Sequence, residues 1–218
     1  MLALFDSGRG GLNTVGYLKA SGDGDSLIYL IDQGNAPYGT KTESEILRIT
    51  GKNIATLCGM GAERVLIACC TASTVHPYLP TEYKEVSIPI IDSIASEARQ
   101  KTQSGRIGVI ATEHTVRSGA FRQRLGRTCV IEHPLSELVT LIDGGLSDLT
   151  AKEDDALRLE EALLPVLRAD IDTLILGCTH FPALECTIKA IAERYGDIRL
   201  INSARVGADA LRNCKYGK

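Results

Sequence analysis

The chain has 218 residues, 44% of them hydrophobic and 23% charged, and a formal net charge of −3 at pH 7. That is enough for a sizeable core, in one α/β domain or two smaller ones, and it leaves no basic footprint for nucleic acid. No apolar run is long enough to span a bilayer, and the N-terminus lacks the basic region of a signal peptide, so no membrane association or export is expected.

Leu2 to Phe5 reads as a strand, followed by Asp6-Ser7-Gly8-Arg9-Gly10-Gly11 and a helix from Leu12 to about Ala20. The glycines suggest a dinucleotide turn, but Asn13 takes the third glycine position of that pattern. A turn that lets backbone amides approach a carboxylate fits better. Asp6 stands at a strand end, where an acid can cap the next helix, tune a nearby thiol or take part in proton transfer. Ser26 to Asp32 reads as the second strand, and Gln33 to Lys41 as a loop holding Pro37-Tyr38-Gly39. There Pro presets the backbone, Gly permits a tight turn and Tyr offers a flat face with a hydroxyl. Thr42 to Gly59 is expected to be helical, with Thr42 and Glu45 forming a capping box.

Val65-Leu66-Ile67-Ala68-Cys69-Cys70-Thr71-Ala72-Ser73 follows as a buried strand that ends in thiols and hydroxyls. Ser87 to Asp92 reads as a strand and Ser93 to Lys101 as a helix. The pattern then begins again. Arg106 to Thr112 is a strand, Thr115 to Arg124 a helix, and Thr128 to Glu132 a strand leading into His133-Pro134. Leu135 to Ile142 is a helix ended by Asp143-Gly144-Gly145, and Asp154 to Ala169 a helix that Pro165 should kink or break. Thr173-Leu174-Ile175-Leu176-Gly177-Cys178-Thr179-His180-Phe181-Pro182 repeats the design of the first thiol strand. A helix from Ala183 to Tyr195, a strand from Ile198 to Ile201 and a helical C-terminus complete the chain.

Alternating strands and helices imply an α/β fold with mostly parallel sheets. The expected arrangement is two pseudo-symmetric lobes, residues 1–92 plus 202–218 and residues 93–201, each a mostly parallel sheet flanked by helices. The site is expected in the cleft between them. The C-terminal ends of parallel strands are where such folds place ligand loops, so two thiols at strand ends could face one pocket from opposite sides. That suits removing a proton from one face of a carbon and delivering one to the other.

A free cysteine taken alone is more often a small buried hydrophobe. The matched pattern in both halves favours a paired role. Seven cysteines with no Cys-x-x-Cys, and four histidines with no tight pairing, point to reduced thiols in the cytoplasm rather than to disulfides or a metal site. His180, two residues after Cys178, can hydrogen-bond the thiol or shuttle a proton. A Cys–His pair also admits nucleophilic hydrolysis, which leaves Cys69 without a role.

At these residues the chain resembles glutamate racemase, of the aspartate/glutamate racemase superfamily. The matching segments, in family order, are Phe5-Asp6-Ser7-Gly8 with Gly10-Gly11-Leu12, Pro37-Tyr38-Gly39 with Lys41, and Ala68-Cys69 with Thr71-Ala72-Ser73. Thr112, Thr115 and Ser118 follow, and then Leu176 to Pro182. The resemblance implies cofactor-independent racemisation with Cys69 and Cys178 as the acid/base pair, one for each enantiomer, assisted by Asp6 and His180. Ser7, Pro37, Tyr38, Gly39, Thr71, Thr112 and Thr179 would line the substrate site, and the product, D-glutamate, would supply peptidoglycan precursors. Against the family pattern, Cys70 stands where an Asn contacts substrate, and Asp143 replaces the Glu that assists the second cysteine. His133-Pro134 replaces a Cys-Pro pair, and Asn202 replaces an Asp. The expected partner is a small-molecule amino acid or related carboxylate, with no nucleic acid, membrane, metal or cofactor, and a homodimer stays open. Two rivals remain: a paralogue acting on another acidic amino acid or related carboxylate, and a binding protein with little turnover.

Overall fold

The computed structural model describes residues 1–23 and 27–216. Ser26, expected to open the second strand, lies outside them, as do residues 217 and 218. Strands β1 (Leu2–Asp6), β2 (Leu27–Ile31), β3 (Arg64–Ile67) and β4 (Ser87–Pro89) form one sheet in the order β2-β1-β3-β4. Strands β5 (Arg106–Ala111), β6 (Cys129–Pro134), β7 (Thr173–Gly177) and β8 (Arg199–Asn202) form a second in the order β6-β5-β7-β8. Every pairing within both sheets is parallel. The second sheet therefore repeats the first strand for strand, with β5 standing for β1 and β7 for β3.

Helices α1 (Gly11–Ala20), α2 (Glu43–Gly59), α3 (Cys70–Ser73), α4 (Thr81–Val86) and α5 (Ile90–Lys101) belong to the first part of the chain. Helices α6 (Glu113–Arg117), α7 (Ala120–Leu125), α8 (Ser136–Asp143), α9 (Glu153–Leu167), α10 (Glu185–Ala192) and α11 (Ser203–Tyr216) complete the set. The capping box of α2 forms: the Glu45 N–H donates to Thr42 Oγ1 at 3.3 Å, and the Thr42 N–H donates to Glu45 Oε2 at 2.8 Å.

Successive strand residues point to opposite faces, and each face has its own core. Ala3, Phe5, Val65 and Ile67 turn outward to pack with Ile46, Ile49 and Ile54 of α2. Leu174 and Leu176 of β7 pack with Leu159 and Leu163 of α9 and Ile188 of α10. Leu4, Leu66, Ile107, Val109, Ile175 and Ile201 turn the other way, into one core with α5 and α11 that runs between the sheets. Each fully buried aliphatic side chain contributes roughly 1.5–3 kcal/mol.

Three expected elements differ. The fourth strand stops at Pro89, and Ile90 and Ile91 begin α5. Ile90, Ile91, Ile94, Ala95 and Ala98 make one buried helical stripe, and Ser73 Oγ accepts the Ile90 N–H at 3.1 Å. The helix expected over 115–124 is two, separated at Gly119, whose φ of 64° lies in the left-handed region. Pro165 does not break α9, which runs through it and ends two residues later at Leu167.

Candidate active site

The loops after β1, β3, β5 and β7 converge. In the first sheet Phe5 is level with Ile67, so Asp6-Ser7 and Ala68-Cys69 leave side by side. In the second, Ala111 is level with Gly177, which sets Thr112 beside Cys178. Between the two pairs lies a cavity of about 80 Å³, lined by Ser7, Gly8, Gln33, Ala36, Pro37, Tyr38, Gly39, Cys69, Cys70, Thr71, Thr112, Val139, Asp143, Gly177, Cys178, Thr179 and His180. Every candidate site residue of the sequence is on that wall except Asp6, which is wholly buried behind it. Gly8, Gln33, Ala36, Val139 and Gly177 also line the cavity and are not among those candidates. Gln33 follows the end of β2, a position of the same kind as Ser7, and Val139 lies one helical turn before Asp143 on α8.

Cys69 opens α3, and its Sγ lies 3.2 Å from Ser7 Oγ. Burial pushes the Cys69 thiol up to about 11, and the nearby Asp6 carboxylate adds to this; contacts from Ser7 and the Ala72 backbone pull it back. Burial also pushes Cys178 well above the ordinary thiol range, opposed by a hydrogen bond from the His180 backbone N–H. Cys178 Sγ is 3.7 Å from His180 Nδ1, and His180 Nε2 is 3.2 Å from Asp143 Oδ1. Thiol, imidazole and carboxylate therefore lie in series on this side, with the carboxylate half-exposed.

Asp6 does not cap α1, whose N-cap is Gly10 without any side-chain cap. Its carboxylate instead accepts the Gly8 N–H at 2.9 Å. The glycine-rich turn does bring an amide to a carboxylate, one belonging to the chain itself. Burial raises the Asp6 carboxyl above its usual range, against the pull of Gly8, His180 and Thr179. The acid is thus held close to two thiols in a dry setting, where proton affinities couple strongly.

Hydroxyls tie the two sheet ends together. Thr71 Oγ1 is 3.0 Å from Thr112 Oγ1 and 3.3 Å from Thr115 Oγ1, and Thr112 and Thr115 are 2.9 Å apart. Tyr38 commits its hydroxyl elsewhere: it donates to Asp32 Oδ2 at 2.5 Å and accepts from Asn53 Nδ2 at 3.0 Å. Its hydroxyl is therefore a brace for the 33–41 loop. Cys70 is buried, and its thiol is raised by burial and by its nearness to Cys178 and Cys69. Among the described residues, no group of three or more His, Cys, Asp or Glu side chains is arranged to hold a metal ion.

Twin parallel α/β sheets thus bring two thiols and the Asp143 carboxylate to the wall of one cavity. Residues 14–211 match the Asp/Glu/Hydantoin racemase family, and the chain belongs to that family. Among its relatives, the glutamate racemase of Desulforudis audaxviator is 40% identical over 195 residues, covering 87% of this chain and 70% of that one. The glutamate racemase of Persephonella marina is 34% identical over 213 residues, covering 95% and 79%. Among solved structures, glutamate racemase isoform RacE1 from Bacillus anthracis superposes with a TM-score of 0.87 at 29% identity, covering 98% of this chain and 80% of that one. The Francisella tularensis glutamate racemase in complex with D-glutamate gives a TM-score of 0.82 at 26% identity, covering 99% and 80%.

Proposed function

We propose that this chain interconverts L- and D-glutamate with Cys69 and Cys178 as the two acid/base groups. The observation that carries the reading is that both thiols end equivalent strands, β3 and β7, on the wall of one small cavity. One cysteine enters the reaction as thiolate and the other as thiol. The thiolate takes the α-proton, the electron pair stays on carbon, and the opposite thiol delivers its proton to the other face. The product leaves with the two protonation states exchanged, so proton and charge balance.

Ser7, Thr71, Thr112 and Thr179 supply hydroxyls for the substrate's carboxylates, and Pro37, Tyr38 and Gly39 close one wall. Asp6 assists the first thiol, and His180 with Asp143 assists the second. The lobes divide as 1–92 plus 202–218 and 93–201. D-glutamate made in this way would feed peptidoglycan synthesis in the cytoplasm. Among the described residues, no helix is long and apolar enough to cross a membrane.

The buried Cys70 on the cavity wall supports a second reading, a preference for another acidic amino acid or related carboxylate. A thiol is a weak donor and acceptor, whereas a carboxamide has two donors and a good acceptor. Incubation with D- and L-glutamate and other acidic amino acids in D2O, followed by NMR, separates the two. Exchange of the glutamate α-proton with loss of optical purity is the expected result. Faster exchange with a different acid selects the second reading, and no exchange with any of them overturns both.

A further inference from the structure

Asn13, the residue that spoils the dinucleotide pattern, lies in the first turn of α1 and reaches across to the other sheet's thiol loop. Its Nδ2 donates to the carbonyl oxygen of Thr179 at 2.8 Å. That carbonyl belongs to the peptide unit that joins Thr179 to His180, whose ring Nδ1 lies 3.7 Å from the sulfur of Cys178. A single peptide group therefore joins the Asn13 amide to the histidine beside the second thiol. The fit is close: a Cβ added at Gly10 would stand 2.3 Å from Thr179 Oγ1 and 2.8 Å from the Thr179 carbonyl carbon. From the far side, Ser203 Oγ donates to the Cys178 carbonyl at 3.2 Å.

A hydrogen bond to a carbonyl fixes the plane of its peptide, and the next residue's side chain is aimed from that plane. An imidazole held against a thiol can hydrogen-bond it or shuttle its proton. We propose that Asn13 is a positioning residue for Cys178, holding the Thr179–His180 peptide so that the His180 ring stays against the sulfur. This rests on the two-thiol reading above. Asn13 acts on one thiol only, because its side chain reaches the loop after β7 and Cys69 takes its support from Ser7 and Ala72.

In a racemase the ratio of the two kcat/KM values is fixed by the equilibrium between enantiomers, so a one-sided defect lowers both together and does not show in that ratio. It does show in isotope effects. If proton transfer at Cys178 slows, the effect of α-deuteration grows for the enantiomer that Cys178 deprotonates and shrinks for the other. Cys69→Ala identifies that enantiomer as the one whose α-proton still exchanges.

Asn13→Leu keeps the bulk and removes the donor. Glutamate racemisation should slow about two- to tenfold, the size of one hydrogen bond. The two isotope effects should move in opposite directions, and Asn13→Gln, which keeps the amide, should restore both rate and pattern. Isotope effects that stay put or move together make Asn13 a structural residue only and overturn the proposal, as does an Asn13→Gln enzyme indistinguishable from Asn13→Leu. Should Asn13→Leu fail to fold by circular dichroism, Asn13→Ala is measured the same way. The wild type is measured first. No exchange in D2O with either enantiomer overturns the two-thiol reading itself, whereas normal exchange with symmetric changes in the variants overturns the Asn13 assignment alone.

Discussion

Cys69 and Cys178 end equivalent strands, yet they are supported from different directions. Around Cys69 the help comes from the neighbouring strand: β1 ends in the buried Asp6, and Ser7 touches the sulfur at 3.2 Å. Around Cys178 the neighbouring strand β5 supplies only Thr112, and the help comes from its own loop through His180 and from Asp143 at the end of α8. One acid is wholly enclosed and the other is half in water. The repeated sheet thus fixes where the thiols stand, while the groups beside them differ between the halves. A carboxyl buried beside Cys69 has little water to screen it, whereas Asp143 is linked to Cys178 through the His180 imidazole and has solvent at its back.

The deepest break is at the sulfurs. Cys69→Ala and Cys178→Ala should each lower racemisation by about 10³-fold or more, since neither thiol can serve the other's face. Each should leave α-proton exchange with one enantiomer, and near-normal racemisation by either variant would make that cysteine structural. The acids should then separate the halves. Asp6→Asn should cost about 100-fold in kcat and Asp143→Asn about tenfold.

The same pair should diverge in stability. A carboxyl whose folded value is raised favours folding below its ordinary value, and that contribution is lost as pH rises through the folded value. Above the ordinary carboxyl range the buried Asp6 carboxyl therefore weakens the fold. Asp6→Asn should raise stability by about 1 kcal/mol in urea titrations, and Asp143→Asn should leave it nearly unchanged. Equal effects of the two substitutions on both rate and stability would erase the proposed asymmetry.

Cys70 tests whether the first half's wall sets substrate choice. An unpaired polar group of the ligand costs about 1–3 kcal/mol. Cys70→Asn should therefore lower KM for glutamate by about tenfold with a smaller change in kcat. If the natural protein is already efficient and the Asn variant is no better, Cys70 is a packing residue.

The smallest effect is on pH. Both thiols are held above their ordinary range, so thiolate is scarce at neutrality and kcat/KM should climb between about pH 7 and pH 9. The Cys69 thiol favours the fold while it is neutral, fully so below its ordinary value of 9.0, and that contribution fades as pH rises to about 11. Cys69→Ala should flatten the loss of stability over that interval. A flat rate profile, or an unaltered stability curve in the variant, would contradict the placement of Cys69 in a dry site.

Much of this was legible in the residues. Aliphatic runs ending in small and polar residues mark β1, β3, β5 and β7, and the repeat of Cys69 in Cys178 exposed the duplication. The places of Ser7 and Thr112 in the site, like that of Asp143, came from family resemblance. What stayed hidden depends on distance in sequence or on context. Ile90 and Ile91 continue an apolar run that reads equally as strand or buried helix, and the stripe they form with Ile94 and Ala98 is settled by packing. Gln33 and Val139 reach the cavity only because β2 and α8 are placed beside it. Asn13 and Thr179 are 166 residues apart, and no local pattern pairs an amide with a particular carbonyl at that range.

The apolar core between the sheets has a thermal consequence. Leu4 and Leu66 from one sheet and Val109 and Ile175 from the other share their burial with Ile94 of α5 and Leu211 of α11. Neither half can lose its order without exposing this common layer, so heat capacity should rise in one peak. The calorimetric and van't Hoff enthalpies should agree. Two resolved peaks would mean that each sheet melts on its own and that the layer is a seam.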